Sequence, residues 1–202
     1  MEHLEAQPQG DEKPLINIVG EKVALGPIHR GVVSLLNKWE NDFAVGFLGG
    51  DRLQPVAKEA TEAYNEYLLK GERRDQIFFI IYEYPALHPI GLAELRHIDH
   101  RSRTAEFGIL IGEKDSWDKG YGTEATRLVL DYGFTVGCLH NIMLETYSYN
   151  ERAIRAYTRA GFRIIGRRRE AARWGNKLYD GVMMDCLSTE FETPLKRILT
   201  LP

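Results

Sequence analysis

Cysteine is scarce in this chain: Cys138 and Cys186 are the only two among 202 residues. So few thiols exclude a scaffold built on disulfides, and both read as reduced, buried core residues. Long apolar runs are missing too. No stretch approaches the roughly 18–20 residues that span a bilayer, so no membrane segment is expected. Residues 1–14 are polar and lack the apolar stretch of a secretory leader, which points to a cytoplasmic protein. The formal charge of -3 lacks the basic excess of a nucleic-acid binder. His97 and His100 have no cysteine near them, so no metal site is expected.

What remains is an ordinary globular composition, 44% hydrophobic and 27% charged. It is enough for one domain with a sizeable core. Residues 1–14 read as a mobile tail, 15–188 as the domain and 189–202 as a short extension. In that extension Leu195, Ile198, Leu199 and Leu201 are placed to dock on the domain or on a second subunit.

Residues 22–27 read as a strand. Residues 28–42 and 56–69 carry apolar residues at helical spacing, Val32, Leu35, Leu36 and Trp39 in the first. Residues 76–84, 90–98 and 103–111 are strand-like and form an antiparallel meander, with a polar hairpin turn at 99–102. A helix over 121–136, a strand over 140–147, a helix over 150–160 and a strand pair at 162–169 and 178–186 complete the pattern. The fold class is mixed α/β, one sheet with helices on its faces.

Trp117-Asp118-Lys119-Gly120-Tyr121-Gly122-Thr123 follows a strand and opens a helix. Gly120 and Gly122 let backbone approach a ligand, and the free N–H groups of the first helical turn face it. These features suit a pyrophosphate site, with Lys119 adding charge, or a glycine-rich turn that only caps the helix. It is not a Walker loop, and the preceding strand belongs to a meander rather than a parallel βαβ unit, which argues against a dinucleotide fingerprint. Downstream, Asn150 is placed to cap a helix on which Ala153 and Tyr157 share a face, and Gly161 and Phe162 end it.

On these two motifs the chain resembles the GNAT superfamily of N-acetyltransferases. The loop resembles the superfamily's R/Q-x-x-G-x-G/A, and 150–162 fits its N-x-x-A-x-x-x-Y-x-x-x-G-F. Trp117 replaces the usual Arg or Gln. It is similar in this to the ribosomal-protein N-terminal acetyltransferase branch, where W-x-K-G-Y-[AG]-T-E-A is common. The resemblance covers about residues 17–187 and implies a mostly antiparallel twisted sheet whose central strands splay to hold acetyl-coenzyme A.

The resemblance also implies roles. Backbone N–H groups at a bulge over Ile109, Leu110 and Ile111 polarise the thioester carbonyl, while their side chains serve the core. The loop from Trp117 to Thr123 takes the pyrophosphate. Tyr157 protonates the leaving thiolate, and Ala153 counts with the cofactor-binding residues. Asn150 contacts the pantetheine arm, caps its helix, or does both in part. Glu106 is the candidate base, with Glu94 and Glu145 as alternatives; a half-exposed sheet explains Glu106 and Glu94 equally well. Some superfamily members rely on water and proximity instead.

The acceptor is a small-molecule or peptide amine: a protein N-terminus, a polyamine, an amino sugar or an antibiotic. Residues 32–69 usually shape its pocket, and there Trp39, Phe43, Phe47 and Tyr64 line a pocket or fill the core. A longer acyl donor, a homodimer, and a catalytically silent acyl-coenzyme A sensor are further readings. The basic cluster Arg167, Arg168, Arg169, Arg173 and Lys177, with Trp174, reads as a solvated hairpin end, a patch near the coenzyme phosphates or a subunit contact; a nucleic-acid or acidic-partner site is the other reading.

Overall fold

The computed structural model describes residues 13–49, 53–71 and 75–192. Residues 1–12 of the expected tail over 1–14, and the docking residues Leu195, Ile198, Leu199 and Leu201, lie outside that range. Among the described residues no helix is long and apolar enough to cross a membrane.

Among the described residues eight strands form one sheet in the order β1-β2-β3-β4-β5-β6-β8-β7. They are β1 (Ile18–Val19), β2 (Val23–Gly26), β3 (Ile77–Glu83), β4 (His88–Asp99), β5 (Thr104–Ile111), β6 (Asn141–Tyr147), β7 (Arg163–Trp174) and β8 (Lys177–Leu187). The meander β3-β4-β5 is antiparallel, as expected. Among the described residues the single parallel pairing joins β5 to β6. It exists because α4 (Tyr121–Thr135) crosses over between them.

The sheet carries a core on each face. On one side α4 and α5 (Glu151–Ala160) cover Phe79, Leu95, Phe107, Ile142 and Leu144. Tyr132 of α4 meets Phe79 edge-on at 5.1 Å. On the other side α1 (Val33–Asn41) buries Leu36 and Trp39 against Ile80 and Tyr82. Trp39 is fully buried, and its indole N–H donates to Glu113 at 2.9 Å.

Three departures from the sequence reading have local causes. The first helix divides: a 3-10 turn at Arg30–Val32 precedes α1, and a separate helix α2 (Phe43–Gly49) follows. Asp42 separates them, its carboxylate accepting from the Ala44 N–H at 3.0 Å. Phe-Ala-Val-Gly-Phe-Leu-Gly has no polar face to mark it as a surface helix. Next, β7 runs to Trp174 instead of stopping at Arg169. A register shift between Arg168 and Ala172, with Glu170 at φ 53, breaks the alternation there. Last, Cys186 is buried but Cys138 is exposed, against expectation. Cys138 sits at φ 52 in the turn after α4, where its carbonyl accepts from Arg103 Nε at 2.6 Å.

Candidate active site

The sheet opens at its one parallel pair. β5 and β6 are in register only at Thr104–Asn141, Ala105–Ile142 and Glu106–Met143. Beyond Glu106 the strands part, and residues from both edges line a cavity of about 520 Å³. Phe107 to Ile111 come from one edge, and Leu144, Glu145 and Thr146 from the other.

β5 stays paired with β4 through Ile111, and the register break in that pair falls between Arg96 and Asp99. The expected bulge over Ile109–Ile111 is therefore absent; the irregularity lies at His97, which takes φ 51. Gly112 donates its N–H to Ile90 at 2.9 Å. In an antiparallel pair the bonding alternates, so Leu110 bonds toward β4 while Ile109 and Ile111 turn N–H and C=O toward the opening. The Ile111 carbonyl accepts from Trp117 Nε1 at 2.8 Å.

The glycine loop meets the same opening. Gly120 holds φ 86 at the N-cap of α4, a left-handed geometry that disfavours other residues. Trp117, Asp118, Tyr121, Gly122 and Thr123 line the cavity with it, whereas Lys119 does not. The Tyr121 hydroxyl donates to Glu83. Trp117 has a structural explanation: besides its bond to Ile111, its ring lies 4.0 Å beneath the Arg152 guanidinium. It ties the loop to both β5 and α5.

Helix α5 supplies another wall. Asn150 caps it, Oδ1 accepting from the Ala153 N–H at 3.1 Å, and its Nδ2 donates to the Leu48 carbonyl at 2.7 Å. Both ends of this amide are thus engaged within the protein, so capping and a tether to α2 are its visible roles. The Tyr149 hydroxyl donates to the Phe47 carbonyl at 2.8 Å, and the Phe47 and Tyr149 rings stack at 4.4 Å. Trp174 joins Phe47 at 4.6 Å, which places this part of the β7–β8 hairpin against α2. Ala153 and Tyr157 line the cavity. Tyr157 packs edge-on against Phe107 and Phe162, and burial pushes its phenol up to about 12.

The carboxylates separate. Glu106 accepts from Arg96, and from His97 Nδ1 at 3.0 Å, and is not part of the cavity wall. Burial pushes its carboxyl up, but the Arg96 and His97 hydrogen bonds outweigh this and leave it below the usual carboxylate range. Glu94 does line the cavity, as does Arg96, which donates to it at 3.0 Å. Gly108 lies opposite, where a Cβ would come within 2.9 Å of Glu94 Oε1. Glu145 mirrors this on the far edge, with Arg168 at 3.2 Å and Gly181 leaving room for its carboxylate.

The remaining wall comes from α1 and α3 (Lys58–Leu69): Trp39, Glu40, Thr61, Tyr64 and Asn65. Trp39 and Tyr64 thus line the cavity as expected, while Phe43 is exposed outside it and Phe47 belongs to the tether. The sequence reading missed Glu40, Thr61, Asn65 and the arginines of α5. Arg152, Arg155 and Arg159 line the cavity, and their spacing of three and four was a usable signal.

A parted strand pair facing a glycine-capped helix is the arrangement that the two motifs anticipated. A profile described as an acetyltransferase (GNAT) domain matches residues 30–163. The chain belongs to the GNAT acetyltransferases. The Escherichia coli K12 spermidine N(1)-acetyltransferase is 32% identical over 145 residues, 71% of this chain and 74% of the relative. Its Vibrio cholerae counterpart is 28% identical over 145 residues, 71% of this chain and 80% of that one. The crystal structure of the Vibrio cholerae spermidine N-acetyltransferase in complex with coenzyme A and spermine aligns at TM-score 0.75 and 23% identity. That alignment covers 85% of this chain and 98% of that one. This GNAT chain is accordingly an acyltransferase that uses acetyl-coenzyme A and a primary amine.

Proposed function

We propose that this GNAT enzyme acetylates a small cationic amine by direct attack within a ternary complex. The parting of β5 and β6 beside the α4 N-terminus carries the reading, because it brings unpaired strand groups and a helix N-terminus to one cavity. In this reading the N–H groups of Gly120 to Thr123 hold the pyrophosphate, flanked by Trp117, Asp118 and Lys119. The Ile109 and Ile111 N–H groups polarise the thioester carbonyl, and Leu110 contributes its side chain alone.

The neutral amine attacks the carbonyl carbon and forms the C–N bond. Collapse breaks the C–S bond, and the electron pair leaves on the coenzyme sulfur. Tyr157 gives that thiolate its proton. The amine's own proton goes to Glu94, and through solvent it replaces the one that Tyr157 lost. Glu106 acts behind the wall as a positioning residue: it holds Arg96, which holds Glu94.

Glu40, Glu94 and Glu145 are carboxylates in the wall that can accept from an ammonium group, beside Arg96, Arg152, Arg155 and Arg159. The relatives' acceptor, spermidine, is the reference substrate. Thiol release from acetyl-coenzyme A in the presence of spermidine, an amino-acid amide and an amino sugar tests the proposal, with succinyl-coenzyme A as a parallel donor. Tight acetyl-coenzyme A binding without thiol release for any amine would favour a silent sensor instead. Sedimentation of the full chain reports whether it forms the dimer expected of the superfamily.

A further inference from the structure

Helix α3 buries the wrong kind of residue for a core helix. Its two buried positions are Thr61 and Asn65, one turn apart on the same face. Thr61 is fully served: its hydroxyl donates to Glu40 at 2.5 Å and accepts from Asn37 Nδ2 at 2.9 Å. Asn65 is only 1% exposed and stands in the cavity wall, yet neither its Oδ1 nor its Nδ2 has a partner. An unpaired buried amide is costly, and this one has both a donor end and an acceptor end to satisfy.

A bare polyamine cannot do that. Its ammonium groups only donate, so they match Oδ1 and oppose the Nδ2 hydrogens. A ligand that matches both ends needs an N–H and an oxygen acceptor close together.

We infer that Asn65 is a specificity-determining residue, and that the preferred acceptor carries an oxygen hydrogen-bond acceptor next to its amine, as an amino-acid amide does. This rests on the acetyl-transfer reading and narrows its substrate class. Two probes share one carbon skeleton: alaninamide, and 1,2-diaminopropane, in which a methylene replaces the carbonyl and the amide nitrogen becomes a second basic amine. The wild-type enzyme acetylates alaninamide with the higher kcat/KM. Asn65→Leu keeps the branching of the side chain and removes both polar atoms. It lowers kcat/KM for alaninamide about 10- to 100-fold and lowers it far less for the diamine and spermidine. The thermal midpoint of this variant holds or rises, because an unpartnered amide has been removed from the interior.

A second variant, Asn65→Asp, keeps an acceptor and loses the donor, so it shifts preference from alaninamide toward the diamine. Equal loss on all three acceptors would make Asn65 structural and overturn the inference. No loss on any would mean that a trapped water alone serves the amide, and would overturn it as well. Failure of every amine to release thiol from the wild-type enzyme would instead defeat the acetyl-transfer reading itself.

Discussion

The two halves of the cavity are made of different material. The half proposed for the cofactor is built from backbone: the left-handed Gly120, the first turn of α4, and the Ile109 and Ile111 edges that β6 leaves uncovered. The half proposed for the acceptor is built from side chains that converge from α1, α3, β4 and β6, among them Glu40, Asn65, Glu94 and Glu145. Backbone geometry tolerates few residue types, whereas side-chain walls can change one residue at a time.

Tyr157 lies at the junction of the two, and its loss has the largest expected effect. Tyr157→Phe lowers kcat about 10²- to 10³-fold with acetyl-coenzyme A affinity nearly intact, read by steady-state kinetics and calorimetry. Unchanged turnover would remove Tyr157 from the chemistry. Since burial raises this phenol to about 12, the wild-type kcat shows no loss near pH 10 from its ionisation.

Glu94→Gln affects the other half. It lowers kcat/KM for the amine roughly 10- to 100-fold. Glu106→Gln has a smaller effect, because Arg96 keeps its bond to Glu94. If Glu106→Gln proves the more damaging of the two, the order of base and positioning residue reverses. Gly120→Ala separates the halves by a different readout. Left-handed geometry costs a non-glycine residue about 1–2 kcal/mol, so acetyl-coenzyme A binding weakens roughly 5- to 30-fold. The relative rates among different amines stay unchanged.

The smallest effect concerns how the acceptor half is held. His29 Nδ1 accepts from the Gly31 N–H at 3.2 Å, which leaves Nε2–H to donate to the Tyr82 hydroxyl at 2.9 Å. Burial holds this imidazole below its ordinary value of 6.5. The folded state therefore binds the proton less readily than the unfolded chain. The stability this contributes is full above pH 6.5 and is lost as pH falls through the lowered value. His29→Asn keeps a capping acceptor and removes the titration. Its melting temperature falls less on acidification than that of wild type; each kcal/mol corresponds to about 2–4 °C in a chain of this size.

The same division explains what could be read from residues alone. The glycine loop, the α5 motif and the meander were legible because each imposes a spacing on the chain. Trp117 was legible only as a departure; its bond to Ile111 depends on how the loop folds back, and its contact with Arg152 joins positions far apart in sequence. The roles of Glu94 and Glu106 were beyond reach, since both are polar residues on one face of paired strands. What distinguishes them is which one the parted sheet exposes. Helix α2 was missed because it has no polar stripe. Asn65 was missed because an asparagine inside a helical pattern carries no sign of its missing partners.

The opening between β5 and β6 also bears on how long the protein lasts. Strand edges that would elsewhere be paired are left for a ligand to cover, so the free enzyme and the liganded enzyme differ in stability. A ligand at 100 times its dissociation constant adds about 2.7 kcal/mol to the folded state. Unfolding and proteolysis draw on the ligand-free fraction, and a change of that size alters abundance several-fold. The supply of acetyl-coenzyme A would then set the amount of enzyme as well as its rate, through the same gap in the sheet.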